Sequence, residues 1–196
     1  MGRTRTFIAV EIGNEIRNNA VALQQSLGKT GASVKWVSSE SLHITLLFLG
    51  EVDDRELHAV CKAVKEVVQS DPPFKLQVAG VGAFPTARRP KIPWAGIVAG
   101  KEELCRLHDK IEARLLDMGC YRKEERDYTP HLTLGRVKTE SEGFKLAPEL
   151  NKRLSWDGGR TVVDEVVVFS SVMEKDGPVY TALGRCKLTG SMSQSD

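Results

Sequence analysis

At 196 residues with 41% hydrophobic content, the chain is long enough for one domain with a sizeable core, or for two small lobes sharing an interface. A formal charge of +2 excludes a protein that coats nucleic acid by charge alone, yet leaves room for a local basic site for a phosphate. No run approaches the roughly 20 apolar residues of a membrane span. Cys61, Cys105, Cys120 and Cys186 lack paired spacing, so they read as reduced thiols in the cytoplasm, not as zinc ligands.

The chain becomes strand-like within its first residues, which argues against a signal peptide. A strand is predicted at 6–11 and a helix at 14–27, with Ile16, Ala20, Leu23 and Leu27 on one stripe and Gly28 as C-cap. Strands follow at 34–37 and 43–49, the second closed by Gly50. Asp53 and Glu56 resemble a capping arrangement for a helix to about residue 69, with Leu57, Val60, Val64 and Val67 turned inward. A strand at 74–81 leads into a loop at 85–93 that carries Arg88, Arg89 and Lys91. Next come a strand at 94–99 and a helix at 102–118, its stripe made by Leu104, Leu107, Ile111, Leu115 and Met118 and its end set by Gly119. A charged loop at 121–127 precedes a strand at 131–137. Segments 162–170 and 178–188 form a final strand pair, and residues 191–196 a flexible tail.

His43-Ile44-Thr45-Leu46 and His131-Leu132-Thr133-Leu134 repeat one phrase 88 residues apart, in a chain with four histidines. On a strand, His and Thr of each phrase share one face and the two apolar residues share the other. The repetition extends beyond the phrase. Strand, helix, loop and motif strand occur in the same order twice, with 36 positions from Phe7 to His43 and 37 from Trp94 to His131. Residues 6–50 and 93–138 thus read as copies of one β-α-β unit, and a pseudo-two-fold axis would bring both His-x-Thr faces to one cleft.

An ordinary imidazole titrates near pH 6.5, so one neutral and one charged histidine can accept and donate a proton together. Displacement at phosphorus needs both services, one at the attacking and one at the leaving oxygen. Thr45 and Thr133, about 6.6 Å along the strand from their histidines, can donate to non-bridging phosphate oxygens. Such a pair needs no metal. His58 and His108 lie on helices without this context and read as structural.

These residues resemble the two-histidine phosphoesterases, specifically the RNA 2',3'-cyclic phosphodiesterases also called 2'-5' RNA ligases. The continuation Leu47-Phe48-Leu49-Gly50-Glu51-Val52 is similar to that family's first-motif tail, and Pro130 before His131 with Arg136 after Gly135 to its second. Phe84-Pro85, Pro90, Trp94 and Gly177-Pro178-Val179-Tyr180 match as well, so the resemblance spans residues 6–188. It implies a metal-free, cofactor-free enzyme with His43 and His131 catalytic and Thr45, Thr133 and Arg136 on the phosphate. Its substrates would be RNA ends bearing a 2',3'-cyclic phosphate, tRNA fragments among them, opened to a 2'-phosphate. The reverse reaction would join RNA ends 2'-5'. The implied fold is α+β: a single two-lobed domain over residues 1–190, with duplicated β-α-β units, two mainly antiparallel sheets facing a central cleft and helices outside. A cytoplasmic monomer is the accompanying expectation.

Arg136 conflicts with strict alternation. Five positions from His131, it falls on the opposite face unless a bulge or bend at Gly135 re-aims it, and an exterior salt bridge is the competing role. Phe48 is a candidate base-stacking contact, but alternation also puts it with Ile44 and Leu46 in the core. Arg88, Arg89 and Lys91 are candidate RNA-backbone contacts or a solvated loop. Arg122 and Lys123, diluted by Glu124 and Glu125, read as solvated. Trp36, Trp94 and Trp156 read as core or lobe-interface residues. Two other functions remain open: a phosphodiesterase for small cyclic nucleotides or ADP-ribose cyclic phosphate, and a nucleotide- or RNA-binding module without catalysis.

Overall fold

Helix stripes and alternating strands meet in one core. The computed structural model describes residues 2–121, 123, 127–175 and 177–191; Arg122, Glu124 and Glu125 of the charged loop and residues 192–196 of the expected tail lie outside the described residues. The elements in chain order are β1 (Arg3–Glu11), α1 (Asn14–Gly28), β2 (Val34–Trp36), β3 (His43–Asp53), α2 (Leu57–Val68), β4 (Phe74–Thr86) and β5 (Arg89–Ala99). They continue with α3 (Lys101–Asp117), β6 (His131–Thr133), β7 (Gly135–Val137), α4 (Glu140–Asn151), β8 (Asp157–Val163), β9 (Glu165–Glu174) and β10 (Gly177–Lys187).

The larger sheet has eight strands in the order β10-β9-β1-β3-β6-β5-β4-β8, and β2 and β7 form a second, two-stranded sheet. Every neighbouring pair is antiparallel. The halves β10-β9-β1-β3 and β6-β5-β4-β8 meet at one seam, where Ile44 pairs with Leu132. The two motif strands are therefore neighbours, and the expected pair of sheets is continuous through them.

Ile8, Val10, Ile44 and Leu132 on one face of this sheet join Ile16 and Leu23 of α1, Val60 and Val64 of α2, Leu107 and Ile111 of α3, and Leu146 and Leu150 of α4 in one buried cluster. The i, i+4, i+7 spacing of these helix residues is what lets each helix bury one stripe. On the opposite face of the sheet, Phe7, Ala9, Val167 and Phe169 form a small separate cluster with Tyr180 against it. No described helix is long and apolar enough to cross a membrane.

Several boundaries differ from the sequence expectation for local reasons. The 85–93 loop is a hairpin instead: β4 and β5 stay paired to Thr86 and Arg89, with a register shift at Phe84/Pro85, where the peptide bond is cis. Prolines at a bulged strand end look like loop chemistry in the sequence. Helix α4 was not predicted, because Gly143 and Pro148 interrupt it. Thr139 caps it by accepting from the Glu142 amide at 3.4 Å, and Gly143 permits contact with the hairpin, since a Cβ there would stand 2.6 Å from the Pro90 carbonyl oxygen. Asp53 does not cap α2; its carboxylate takes the Arg55 guanidinium at 2.7 and 2.9 Å. The expected strand at 131–137 breaks at Leu134, and residues 162–163 belong to β8 while β9 begins at Glu165.

Candidate active site

The seam pair determines what stands around it. Ile44 and Leu132 are fully buried on the helix side. Antiparallel pairing about them places His43 across from Thr133 and Thr45 across from His131, all four on the other face. The two histidines are then diagonal neighbours, with about 7–8 Å between them at the strand level.

Both rings are held in the same way. The Nδ1 of His43 lies 2.7 Å from the Ser41 carbonyl oxygen, and that of His131 lies 2.7 Å from the Thr129 carbonyl oxygen. A carbonyl only accepts, so Nδ1 carries the hydrogen and Nε2 keeps its lone pair in the neutral ring. At His43, the Thr45 hydroxyl donates to that Nε2 over 3.0 Å. Each ring also has aromatic walls: Phe7 (4.9 Å between centroids) and Tyr180 (5.4 Å) for His43, Phe84 (4.9 Å) and Trp94 (6.5 Å) for His131. Burial among these groups lowers both imidazole pKa values against the upward pull of the carbonyl bonds, and the charge of His131 lowers His43 further. A neutral ring with a directed Nε2 is a base, and its partner once protonated is an acid.

From histidine to the fifth residue beyond, the two motifs share one order of burial. Leu46 and Leu47 are buried consecutively, as are Leu134 and Gly135, and Phe48 and Arg136 are exposed. Alternation therefore slips once in each motif. In β3 the slip is a bulge: Ala9 pairs with Thr45 and Ile8 with Leu47, skipping Leu46. This corrects the expectation of a core position for Phe48. It is 53% exposed, with its ring 5.9 Å from Phe7, which contacts His43. In the second motif the slip is the strand break. The Leu134 carbonyl accepts from the Val37 amide and from Nε2 of Gln24, which also donates to the Val37 carbonyl at 2.8 Å. A Cβ at Gly135 would meet Trp36 and Val34 at 2.9 Å, so glycine lets β7 lie against β2. Arg136 pairs in register with Lys35 and makes no ion pair among the described residues, so the exterior salt bridge has no partner there.

The remaining candidates are dispersed. Arg89 turns to Glu140 of α4 at 3.7 Å, Arg88 occupies the hairpin turn, and Lys91 is exposed on β5. None of the three makes a hydrogen bond or ion pair with either motif among the described residues. Beside His43 lies an open cleft of about 180 Å³ lined by Glu11, Arg17, Glu40, Tyr180 and Arg185. Its cations are already engaged, Arg185 by Glu11 and Glu165, and Arg17 by the Ser39 and Ile12 carbonyls. His108 is buried, with Nδ1 2.9 Å from an Asp109 carboxylate oxygen.

Two residues were missed in the sequence. Tyr128 donates from its hydroxyl to the Thr45 carbonyl at 2.9 Å and stacks flat on His108, with centroids 4.2 Å apart. Burial pushes its pKa far up, so the phenol stays a donor. An aromatic residue in a polar loop three positions before His131 was the available signal. Gln24 was the other, a buried amide on the apolar stripe of α1.

A sequence model described as the 2'-5' RNA ligase superfamily matches residues 14–172. A protein of Thermotoga maritima named RNA 2',3'-cyclic phosphodiesterase is 31% identical over 188 residues, covering 96% of this chain and 97% of that protein. One of Archaeoglobus fulgidus with the same name is 35% identical over 179 residues, covering 91% and 97%. Among solved structures, TT0787 of Thermus thermophilus superposes with a TM-score of 0.80 at 27% identity, covering 95% of this chain and 99% of that one.

Proposed function

Because the chain belongs to the 2'-5' RNA ligase superfamily, we propose that it hydrolyses terminal 2',3'-cyclic phosphates on RNA to 2'-phosphates by metal-free catalysis with His43 and His131. The carrying observation is the matched pair of imidazoles on one face of adjacent strands, each with Nδ1 on a carbonyl two residues back, which leaves Nε2 as the ring's basic nitrogen. One Nε2 takes a proton from water as its oxygen attacks phosphorus. The other, protonated, gives its proton to the departing 3'-oxygen as the P–O3' bond breaks. Thr45, Thr133 and Arg136 hold the non-bridging oxygens, whose charge redistributes as the bond breaks. With a 5'-hydroxyl attacking in place of water, the same steps form a 2'-5' linkage, and their reversal cleaves that linkage back to the cyclic phosphate. The shared burial order around both motifs supports residues 6–50 and 93–138 as copies of one unit within a single two-lobed domain over residues 1–190.

The test is turnover of an oligonucleotide ending in a 2',3'-cyclic phosphate. His43→Ala and His131→Ala should each lower kcat by about 10²–10⁴, and EDTA should change nothing. A doubly substituted protein as fast as wild type would sink the proposal. So would activity lost in EDTA and restored by a divalent ion.

A further inference from the structure

We propose that the RNA strand leaves the histidine pair along β1, passing over Phe48 and Tyr180, with Arg5 gripping a backbone phosphate upstream of the terminal nucleotide. This rests on the RNA-end function proposed above and adds the direction and grip of the substrate. The strand itself lays out the path. Phe7 and Ala9 belong to the cluster on the histidine face while Ile8 and Val10 belong to the helix-side core, so alternation puts Arg5, Phe7, Ala9 and Glu11 in one row on the histidine face. Ala9 pairs with Thr45 and Glu11 with His43. Arg5 then stands two strand steps, about 13 Å, beyond the motif row. That is too far for the cyclic phosphate itself and suits the chain upstream of it.

The ground between is aromatic. Phe7 is buried and touches Phe48, Tyr180 and His43, with centroids 5.9, 4.9 and 4.9 Å away, so it backs a continuous patch on which bases can stack. Arg5 adjoins that patch, near enough to Tyr180 for its charge to pull the phenol pKa down against burial. It is exposed, and among the described residues no carboxylate pairs with it, although Glu51 is its cross-strand neighbour. Three other arginines around the sheet are engaged: Arg185 with Glu11 and Glu165, Arg89 with Glu140, and Arg3 with the Glu51 carbonyl at 2.7 Å. At the opposite end of the row, Glu11 and Glu40 line the cleft beside His43, and its two arginines, Arg17 and Arg185, are held by protein acceptors, so among the described residues it offers a phosphodiester no free cation. Engaged cations at one end and, among the described residues, an unpaired guanidinium at the other give the strand its direction.

The experiment compares Arg5→Gln with wild type on a cyclic mononucleotide and on a tetranucleotide ending in a 2',3'-cyclic phosphate. The kcat/KM on the tetranucleotide should fall about 5–10-fold through KM, and the loss should exceed that on the mononucleotide at least fivefold. The slope of log(kcat/KM) against log[salt] on the tetranucleotide should flatten by about 0.7, one single-strand phosphate contact. Arg5→Lys should recover most of the loss. Lys62→Gln on α2 controls for the lost unit of charge and should change neither substrate. Equal losses on both substrates, or none on the tetranucleotide, would overturn the grip while leaving RNA-end hydrolysis intact. A wild-type protein inactive on both would overturn the proposed function and this proposal with it.

Discussion

Tyr128→Phe removes one oxygen from a ring that otherwise stays in place on His108. The lost bond is the 2.9 Å donation to the Thr45 carbonyl, which links the segment leading into His131 to the centre of the first motif. Losing a buried hydrogen bond of this kind costs about 1–2 kcal/mol. At this chain length each kcal/mol lowers Tm by about 2–4 °C, so a fall of about 2–8 °C is expected by differential scanning fluorimetry. If the freed energy is felt as misplacement of Thr45, the same 1–2 kcal/mol appears in the transition state as a drop in kcat of about 5–30-fold. KM should stay within twofold, because the ring and the substrate-facing surface are unchanged. Steady-state kinetics on a cyclic-phosphate-ended oligonucleotide, run well below Tm, separates the effects. A variant with lower Tm and wild-type kcat would show that the bond only staples the fold, and unchanged values of both would refute the reasoning.

Both imidazoles sit below the ordinary histidine pKa, chiefly through burial. The bell of kcat/KM, which reports the free enzyme and needs one ring neutral and one charged, should therefore centre below pH 6.5. Bound substrate adds an anion that raises both values, so the bell for kcat should lie on the alkaline side of the first; a kcat/KM optimum above pH 7 would contradict this. Phe48→Ala should raise KM on RNA ends about 5–150-fold, the worth of one stacked base, with little change in Tm because the ring is already exposed. Arg136→Ala should act instead on kcat; wild-type turnover would remove that residue from the phosphate.

The helix stripes were legible because burial of every third or fourth residue leaves a periodic trace, and α1 and α3 lie close to their predicted spans. The doubled phrase was legible because it needs only alternation to put His and Thr on one face. What alternation could not reveal is where it slips. A bend at Gly135 was among the expectations, but Leu46-Leu47 looks like an ordinary continuation of a strand; each site absorbs one extra buried residue and returns Phe48 and Arg136 to exposure. The 85–93 hairpin and α4 were hidden by proline and glycine, whose local preferences were overridden by the contact between Gly143 and Pro90. Tyr128 was hidden by distance, since its acceptor is 83 residues away. Nothing local to a loop tyrosine records which carbonyl the fold will bring to it.

The paired Nδ1 bonds to Ser41 and Thr129 bear on what happens after a turnover. In the proposed reaction, the ring that began neutral ends protonated and the ring that began protonated ends neutral. In a lopsided site that exchange would leave a spent catalyst, waiting for solvent to restore the original arrangement. Here each ring has a carbonyl behind it and aromatic walls beside it, so the two protonation states are near mirror images. The state left by hydrolysis is thus the state needed to close the cyclic phosphate again, while a 5'-hydroxyl competes with water for the forward attack, so the share of ligation falls to the concentrations of water and of RNA 5' ends.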